Sequence, residues 1–190
     1  MQNTGLPYLL GAYLGDGCAY IHDKNHVYQF IIVSEDLDLC EFCQQIIFNL
    51  YNKKGKITAV NRKSKLSYYK LVVCSKQLTY FLKDETNNKL KFPLKYLVTL
   101  DDRKSFCQGL MDTDGWISRV NASDGYVRYR VGFKNILPWV NEFRDFLLNL
   151  DVNVGEVGKY TSSRYGVRNK DYYNLNINAL DYCSNIGFKI

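Results

Sequence analysis

Apolar residues recur along this chain with two different periods, and the two periods follow one another in an order that is repeated. After an apolar opening segment, Leu9 to Leu14, two alternating runs (Cys18 to His22 and His26 to Val33) predict strands. The stretch from Leu37 to Tyr51, with Phe42, Ile46, Ile47 and Leu50 at helical spacing, predicts a helix. Two further strand-like runs follow, Lys56 to Arg62 and Ser67 to Val73, and then a helix around Gln77 to Lys83. The second half gives strands Trp116 to Val120 and Tyr126 to Phe133, a helix Leu137 to Leu150, strands near Val154 to Tyr160 and Tyr172 to Ile177, and a short closing helix. The prediction is an α+β fold, a tandem αββαββα repeat whose hairpins make two antiparallel sheets and whose copies pack with pseudo-two-fold symmetry. The halves are expected at 1–88 and 102–190, joined by a linker at 89–101. The connecting stretch KDETNNKLKFPLKYLVTLDD, with its Asn pair and Pro93, is expected to hold a short helix.

The opening segment itself is repeated. Leu9-Leu10-Gly11-Ala12-Tyr13-Leu14-Gly15-Asp16-Gly17 returns as Cys107-Gln108-Gly109-Leu110-Met111-Asp112-Thr113-Asp114-Gly115. Gly11 and Gly15 stand four apart and share a helix face, as do Gly109 and Thr113; small residues at that spacing let a partner helix approach backbone to backbone. Asp16 and Asp114 end these helices, each before a glycine (Gly17, Gly115) expected to terminate the helix in the left-handed conformation. With the ends side by side, the two carboxylates would meet, against their mutual repulsion and the negative ends of the helix dipoles. Hard divalent cations remove that cost, because Mg²⁺ takes a few carboxylate oxygens together with water and phosphate oxygens. Paired carboxylates of this kind suit metal-assisted phosphodiester hydrolysis. Either Asp alone would be read as a turn residue before glycine; the pair, inside a duplicated helix, favours chemistry.

Composition narrows the classes. Lys and Arg number 25 against 19 Asp and Glu, a formal charge of +6 that fits a polyanionic partner. No stretch approaches the roughly 20 apolar residues of a membrane span, and the start MQNTGLPYLLGAYLGDG has no basic region and carries Asp16, so a soluble intracellular protein is expected. Cys18, Cys40, Cys43, Cys74, Cys107 and Cys183 sit mostly among apolar neighbours and read as reduced core or strand residues. Cys40 and Cys43 form a C-x-x-C, but inside an apolar helical pattern, where packing is the better reading. His22 and His26 are the two histidines and lie in one strand-turn region. With no G-x-S-x-G and no P-loop, neither a serine or cysteine hydrolase nor zinc or ATP is implied.

LLGAYLGDG and CQGLMDTDG resemble the two motif copies of the LAGLIDADG homing endonucleases, and the surrounding repeat is similar to their αββαββα halves over nearly the whole chain. The resemblance implies a monomeric, two-motif, Mg²⁺-dependent endonuclease that hydrolyses both strands of a long, pseudo-palindromic double-stranded DNA site, with Mn²⁺ or Ca²⁺ able to substitute in binding. By the same resemblance Asp16 and Asp114 bind metal and position the hydrolytic water, and the carbonyl groups of Gly15 and Thr113 complete the metal shell. Asp112 matches the earlier, structural acid of the motif, which Leu14 replaces in the first copy. Family members place Gln and a basic residue at the end of the second strand. Here Ile32 and Val33 stand there in the first half and Lys134 in the second, with Lys91 and Lys189 as weaker substitutes. The implied setting is an organelle, phage-infected or prokaryotic cytoplasm, alongside the target genome, with the gene either intron-encoded or free-standing. Two alternatives use the same scaffold: an intron maturase acting on RNA, and a sequence-specific DNA-binding protein that does not cut. Retention of both Asp16 and Asp114 argues against either.

The strands carry the expected DNA contacts. Val127, Tyr129, Val131 and Phe133 are expected to face the core and turn Arg128 and Arg130 outward; Tyr69, Leu71 and Val73 likewise turn Tyr68 and Lys70 outward. The same logic selects Tyr20, His22, Lys24, Tyr28, Lys56, Thr58, Arg62, Arg119, Asn121, Lys159, Asn174 and Asn176. The segments Asn61 to Ser67 and Thr161 to Lys170 add Lys63, Lys65, Arg164, Arg168 and Lys170. Such ribbons can enter the major groove, where Arg reads guanine and Asn adenine. A solvated sheet face would show some of the same cations.

Overall fold

The computed structural model describes residues 5–61, 67–121, 125–160 and 171–190. Among the described residues, six helices and eight strands follow the repeated order: α1 (Leu6–Leu14), β1 (Cys18–His22), β2 (Val27–Ser34), α2 (Leu37–Tyr51), β3 (Lys56–Asn61), β4 (Ser67–Cys74), α3 (Lys76–Glu85), then α4 (Leu100–Asp114), β5 (Gly115–Asn121), β6 (Val127–Asn135), α5 (Leu137–Leu148), β7 (Val154–Tyr160), β8 (Tyr172–Ile177) and α6 (Ala179–Asn185). Each half builds one antiparallel four-stranded sheet of the same topology, in the orders β1-β2-β4-β3 and β5-β6-β8-β7. The connector holds a short 3-10 turn at Leu94–Tyr96. No helix among the described residues is long and apolar enough to cross a membrane.

Polar residues before the helices fix where they start. Asp36 accepts the Asp38 N–H at the head of α2, Ser75 the Leu78 N–H at α3, and Asn178 the Leu180 and Asp181 N–H groups at α6. Each such cap satisfies an amide that the helix leaves without a partner, for about 1 kcal/mol. Thr99 and Asp102 cap α4 reciprocally: the Thr99 amide and hydroxyl donate to the Asp102 carboxylate, and the Asp102 N–H donates to the Thr99 hydroxyl. That cap lets α4 begin before the motif and reach 15 residues, against nine for α1.

The chain forms two compact units, Met1–Thr113 with Lys189–Ile190, and Asp114–Phe188. The second motif helix thus packs with the first unit, although its sequence belongs to the second half. In the first unit Phe30, Ile32, Leu71 and Val73 of the sheet pack beneath Leu39, Cys43 and Ile47 of α2 and Leu78 and Leu82 of α3, all buried. Cys40 and Cys43 are part of this core, as their apolar helical setting predicts. In the second unit Val131, Phe133, Leu175 and Ile177 meet Val140, Phe143 and Leu147 of α5 and Tyr182 of α6; the Phe133 and Phe143 rings lie 4.7 Å apart.

Every residue of α1 is buried, which marks it as a central helix, not a half-exposed one. Its contact with α4 is reciprocal. A Cβ on Gly11 would collide with the Phe106 carbonyl oxygen and lie 2.8 Å from the Leu110 nitrogen; a Cβ on Gly109 would collide with the Tyr8 carbonyl oxygen and lie 3.0 Å from the Ala12 nitrogen. Each glycine therefore sits between matched residues of the other helix, as the repeated small-residue spacing predicts.

The helix ends differ from expectation. Gly17 and Gly115 are not left-handed. α1 closes at Gly15, whose N–H donates to the Gly11 carbonyl, and the Gly17 N–H donates to the Ala12 carbonyl. Gly17 is needed for space instead, because a Cβ there would lie 2.6 Å from the Tyr13 Cα. Gly115 is the first residue of β5, so α4 passes into the strand with no intervening turn.

Candidate functional site

The first motif ends at a cavity of about 650 Å³. Asp16 lines it together with Asp112 and Thr113 from the end of α4, Val33, Ser34 and Glu35 from the end of β2, and Tyr68 and Lys70 from β4. Since Asp16 and the last turn of α4 open on one cavity, the two glycine-packed helices run in the same direction. Desolvation raises the Asp16 carboxyl above its ordinary value, and the Lys89 ammonium pulls it the other way. Lys89 reaches in from the turn after α3 and donates to the Gly15 carbonyl oxygen at 2.6 Å.

Asp112 is a built structural acid. Its carboxylate accepts from the Tyr8 hydroxyl at 2.8 Å and from the Lys189 backbone N–H at 3.3 Å. Burial raises its carboxyl above the usual range, while the hydrogen bonds from Tyr8 and from the Lys189 and Ile190 amides oppose the rise. Thr113 turns its hydroxyl back onto the Gly109 and Leu110 carbonyls, both at 3.0 Å. This holds it to the helix surface in the place that Gly15 fills in the first copy.

In the second unit the Asp114 carboxylate accepts from Asn135 Nδ2 at 3.1 Å. Asn135 ends β6, directly after Lys134, whose ammonium lies 5.6 Å from the centre of the Tyr172 ring. Sequence reading selected Lys134 and missed Asn135; its place one residue on, at the end of the same strand, is the signal that could have found it. The matching first-half residue, Ser34, is occupied differently, accepting the Asp36 N–H just before α2.

Strand register sorts the expected contacts by face, since paired residues in an antiparallel ladder point the same way. In the first sheet Tyr20 pairs with Gln29, His22 with Val27, Lys56 with Val72, Thr58 with Lys70, and Val60 with Tyr68. All share the face away from Phe30, Ile32, Leu71 and Val73, and none of the strand residues on that face is acidic. Gln29 belongs to this set and was not selected. Lys24 lies exposed on the 3-10 turn between β1 and β2. Tyr28 is a correction: it pairs with Ile21 on the core face, donates its hydroxyl to Asp23 and packs its ring on Tyr80.

In the second sheet Arg128, Arg130, Lys134, Asn174 and Asn176 share the outward face, joined by Trp116, Ser118 and Val120 of β5. Arg119 pairs with Tyr129 and Asn121 with Val127, which puts both on the opposite face; Lys159, paired with Tyr173, follows them and forms an ion pair with Asp171 at 2.6 Å. Val127 and Tyr129, expected in the core, are 45% and 61% exposed. The helices cover the sheet only as far as Val131. Arg62, Lys63, Lys65, Arg164, Arg168 and Lys170 lie outside the described residues.

Among the described residues no group of three or more His, Cys, Asp or Glu side chains could hold an ion. Ions that take few protein ligands need no such group. The Asp16 carboxylate, lining the cavity, and the carbonyl of the preceding Gly15 suit a hard cation that keeps waters or takes oxygens from a ligand.

No model of a known protein family matches the chain. It is 22% identical over 193 residues to the uncharacterized protein MJ0398 of Methanocaldococcus jannaschii, an alignment that covers 97% of this chain and 65% of that protein. Solved structures are more informative about architecture. Mesophilic variants of the homing endonuclease I-DmoI superpose with a TM-score of 0.64 at 23% identity, covering 98% of this chain and 97% of theirs. I-DmoI in complex with DNA and Mn gives 0.63 at 23% identity, covering 98% of both chains. The N-terminal LAGLIDADG domain of DUF199/WhiA gives 0.59 at 14%, covering all of this chain and 84% of that domain. The fold is the two-motif LAGLIDADG fold.

Proposed function

We propose that this protein is a site-specific, divalent-metal-dependent endonuclease of the LAGLIDADG homing type, acting on both strands of a long double-stranded DNA site. The observation that carries the reading is the reciprocal glycine contact of α1 and α4 in the first unit, with Asp16, Asp112 and Thr113 lining one cavity beside a sheet face bearing Lys56 and Lys70 and no acid. The complexes of I-DmoI with DNA support the same partner here.

In this reading Asp16 and Asp114 are the metal-holding carboxylates, aided by the Gly15 and Thr113 carbonyls, and the ions supply water activation and charge stabilisation at the phosphate. Asn135 fixes the orientation of the Asp114 carboxylate through its amide. Lys134, beside Asn135, and Lys70, lining the Asp16 cavity, supply positive charge to the DNA backbone. The outward faces of both sheets follow the groove, with Arg128 and Arg130 placed to read guanine and Asn174 and Asn176 adenine. A chain this size acts as a monomer in this scheme, each half reading one side of an imperfect palindrome.

Incubation with a randomised duplex library and Mg²⁺, followed by recovery of cut ends, should yield one long preferred site. Asp16→Asn and Asp114→Asn should abolish cutting while gel-shift binding to that site persists. Binding without cutting by the unaltered chain would leave the non-cleaving regulator, and preference for structured RNA the maturase.

A further inference from the structure

The turn after α3 is held in an unusual conformation. Asn87, Asn88 and Lys89 all lie in the left-handed region, with φ of 46°, 53° and 66°. Three successive non-glycine residues there are costly, and such strain persists where the surroundings over-determine it, as they do at functional sites. Thr86 is what fixes it. Fully buried, it donates its hydroxyl to the Leu82 carbonyl at 2.7 Å, accepts the Lys89 N–H on the same oxygen at 3.1 Å, and receives the Leu90 and Lys91 amides on its carbonyl. The product of this arrangement is the position of one side chain. The Lys89 ammonium is delivered to the Gly15 carbonyl and over the Tyr13 ring, 5.3 Å from its centre.

We infer that Lys89 is the resident cation of the first motif site: its ammonium holds the Gly15 carbonyl until a divalent ion arrives, and must give that oxygen up for the ion to bind. The inference rests on the proposed role of Asp16 and Gly15. A simpler role also exists, since a cation at the carbonyl end of α1 complements the helix dipole. The two roles differ in one respect. A helix cap has no competitor, whereas a resident cation competes directly with metal and is coupled to it reciprocally.

The test is direct titration of the whole chain with Mn²⁺, free ion being read by electron paramagnetic resonance. Lys89→Met should bind Mn²⁺ roughly five- to tenfold more tightly than the unaltered protein, the size expected of coupled sites. Lys89→Gln, which keeps an amide donor for Gly15 if the methionine variant folds poorly, should do the same. Lys83→Met removes an equal charge from the last turn of α3 nearby and should change affinity much less. Adding Asp16→Asn to Lys89→Met should erase the gain. Equal or weaker binding in both Lys89 variants, or an equal gain from Lys83→Met, overturns the inference while Asp16-dependent binding in the unaltered protein leaves the nuclease reading standing. Absence of Mn²⁺ binding in every variant overturns both.

Discussion

Replacing Gly109 by alanine drives a methyl group into the backbone of α1, and the sign of its effect is decided by geometry. The new Cβ would collide with the Tyr8 carbonyl oxygen and sit 3.0 Å from both the Tyr8 carbonyl carbon and the Ala12 nitrogen. None of these is the free end of a flexible side chain, so the helices themselves must separate. In an uncrowded helix interior the same change would stabilise by about 1 kcal/mol, alanine being the better helix former. Against that stands overpacking, at about 1–3 kcal/mol and sometimes more. The upper end applies, because α1 is buried on every side and cannot shift without disturbing its other neighbours. The expected net loss is about 2 kcal/mol, or a fall in Tm of about 4–8 °C for a chain of this length. Gly11→Ala should behave alike, and the double variant should lose less than the sum, because helices already parted by one methyl have room for the second. Thermal unfolding followed by circular dichroism measures all three. An unchanged or raised Tm for either single variant would refute the backbone-to-backbone contact.

Two further outcomes test the carboxylates. The raised Asp16 carboxyl means the folded chain binds that proton more tightly than the unfolded one, so its contribution to stability falls as pH rises from the ordinary carboxylate range through the raised value. Asp16→Asn should therefore raise resistance to urea at neutral pH and lose that advantage at about pH 3, below the ordinary range. Asp112→Ala should destabilise by about 1–3 kcal/mol by stranding the hydroxyl of Tyr8, a buried residue. A double-mutant cycle with Tyr8→Phe should return a coupling of at least about 0.5 kcal/mol, and a cycle that closes to zero would remove Asp112 from its structural role.

Much of the architecture was legible because burial imposes its period on the residues. α2 could be bounded from Leu37 to Tyr51, and Leu71 and Val73 assigned to the core, from spacing alone. The glycine faces of α1 and α4 were equally readable, since a missing side chain is itself a sequence feature. Face assignments failed where alternation does not report burial. β5 offers Trp116, Ile117, Ser118 and Arg119 with no apolar rhythm, and only its pairing with β6 tells which way Arg119 points. Tyr28 misled because a half-buried aromatic beside Tyr80 looks the same in sequence as one facing DNA. Lys89 was invisible for a different reason: its place depends on three left-handed residues for which Asn-Asn-Lys is only a weak signal.

The burial of α1 on every side bears on how the chain matures during synthesis. A nine-residue helix is too short to persist alone in water, and a partner that covers it arrives late: Tyr8 and Asp112 are 104 positions apart. While the ribosome is still translating the connector, Leu9, Leu10 and Tyr13 have no α4 to lie against. Packing of the first unit around α1 must therefore wait until α4 has emerged, and the interval leaves an apolar surface for chaperones, or for other nascent chains, to find.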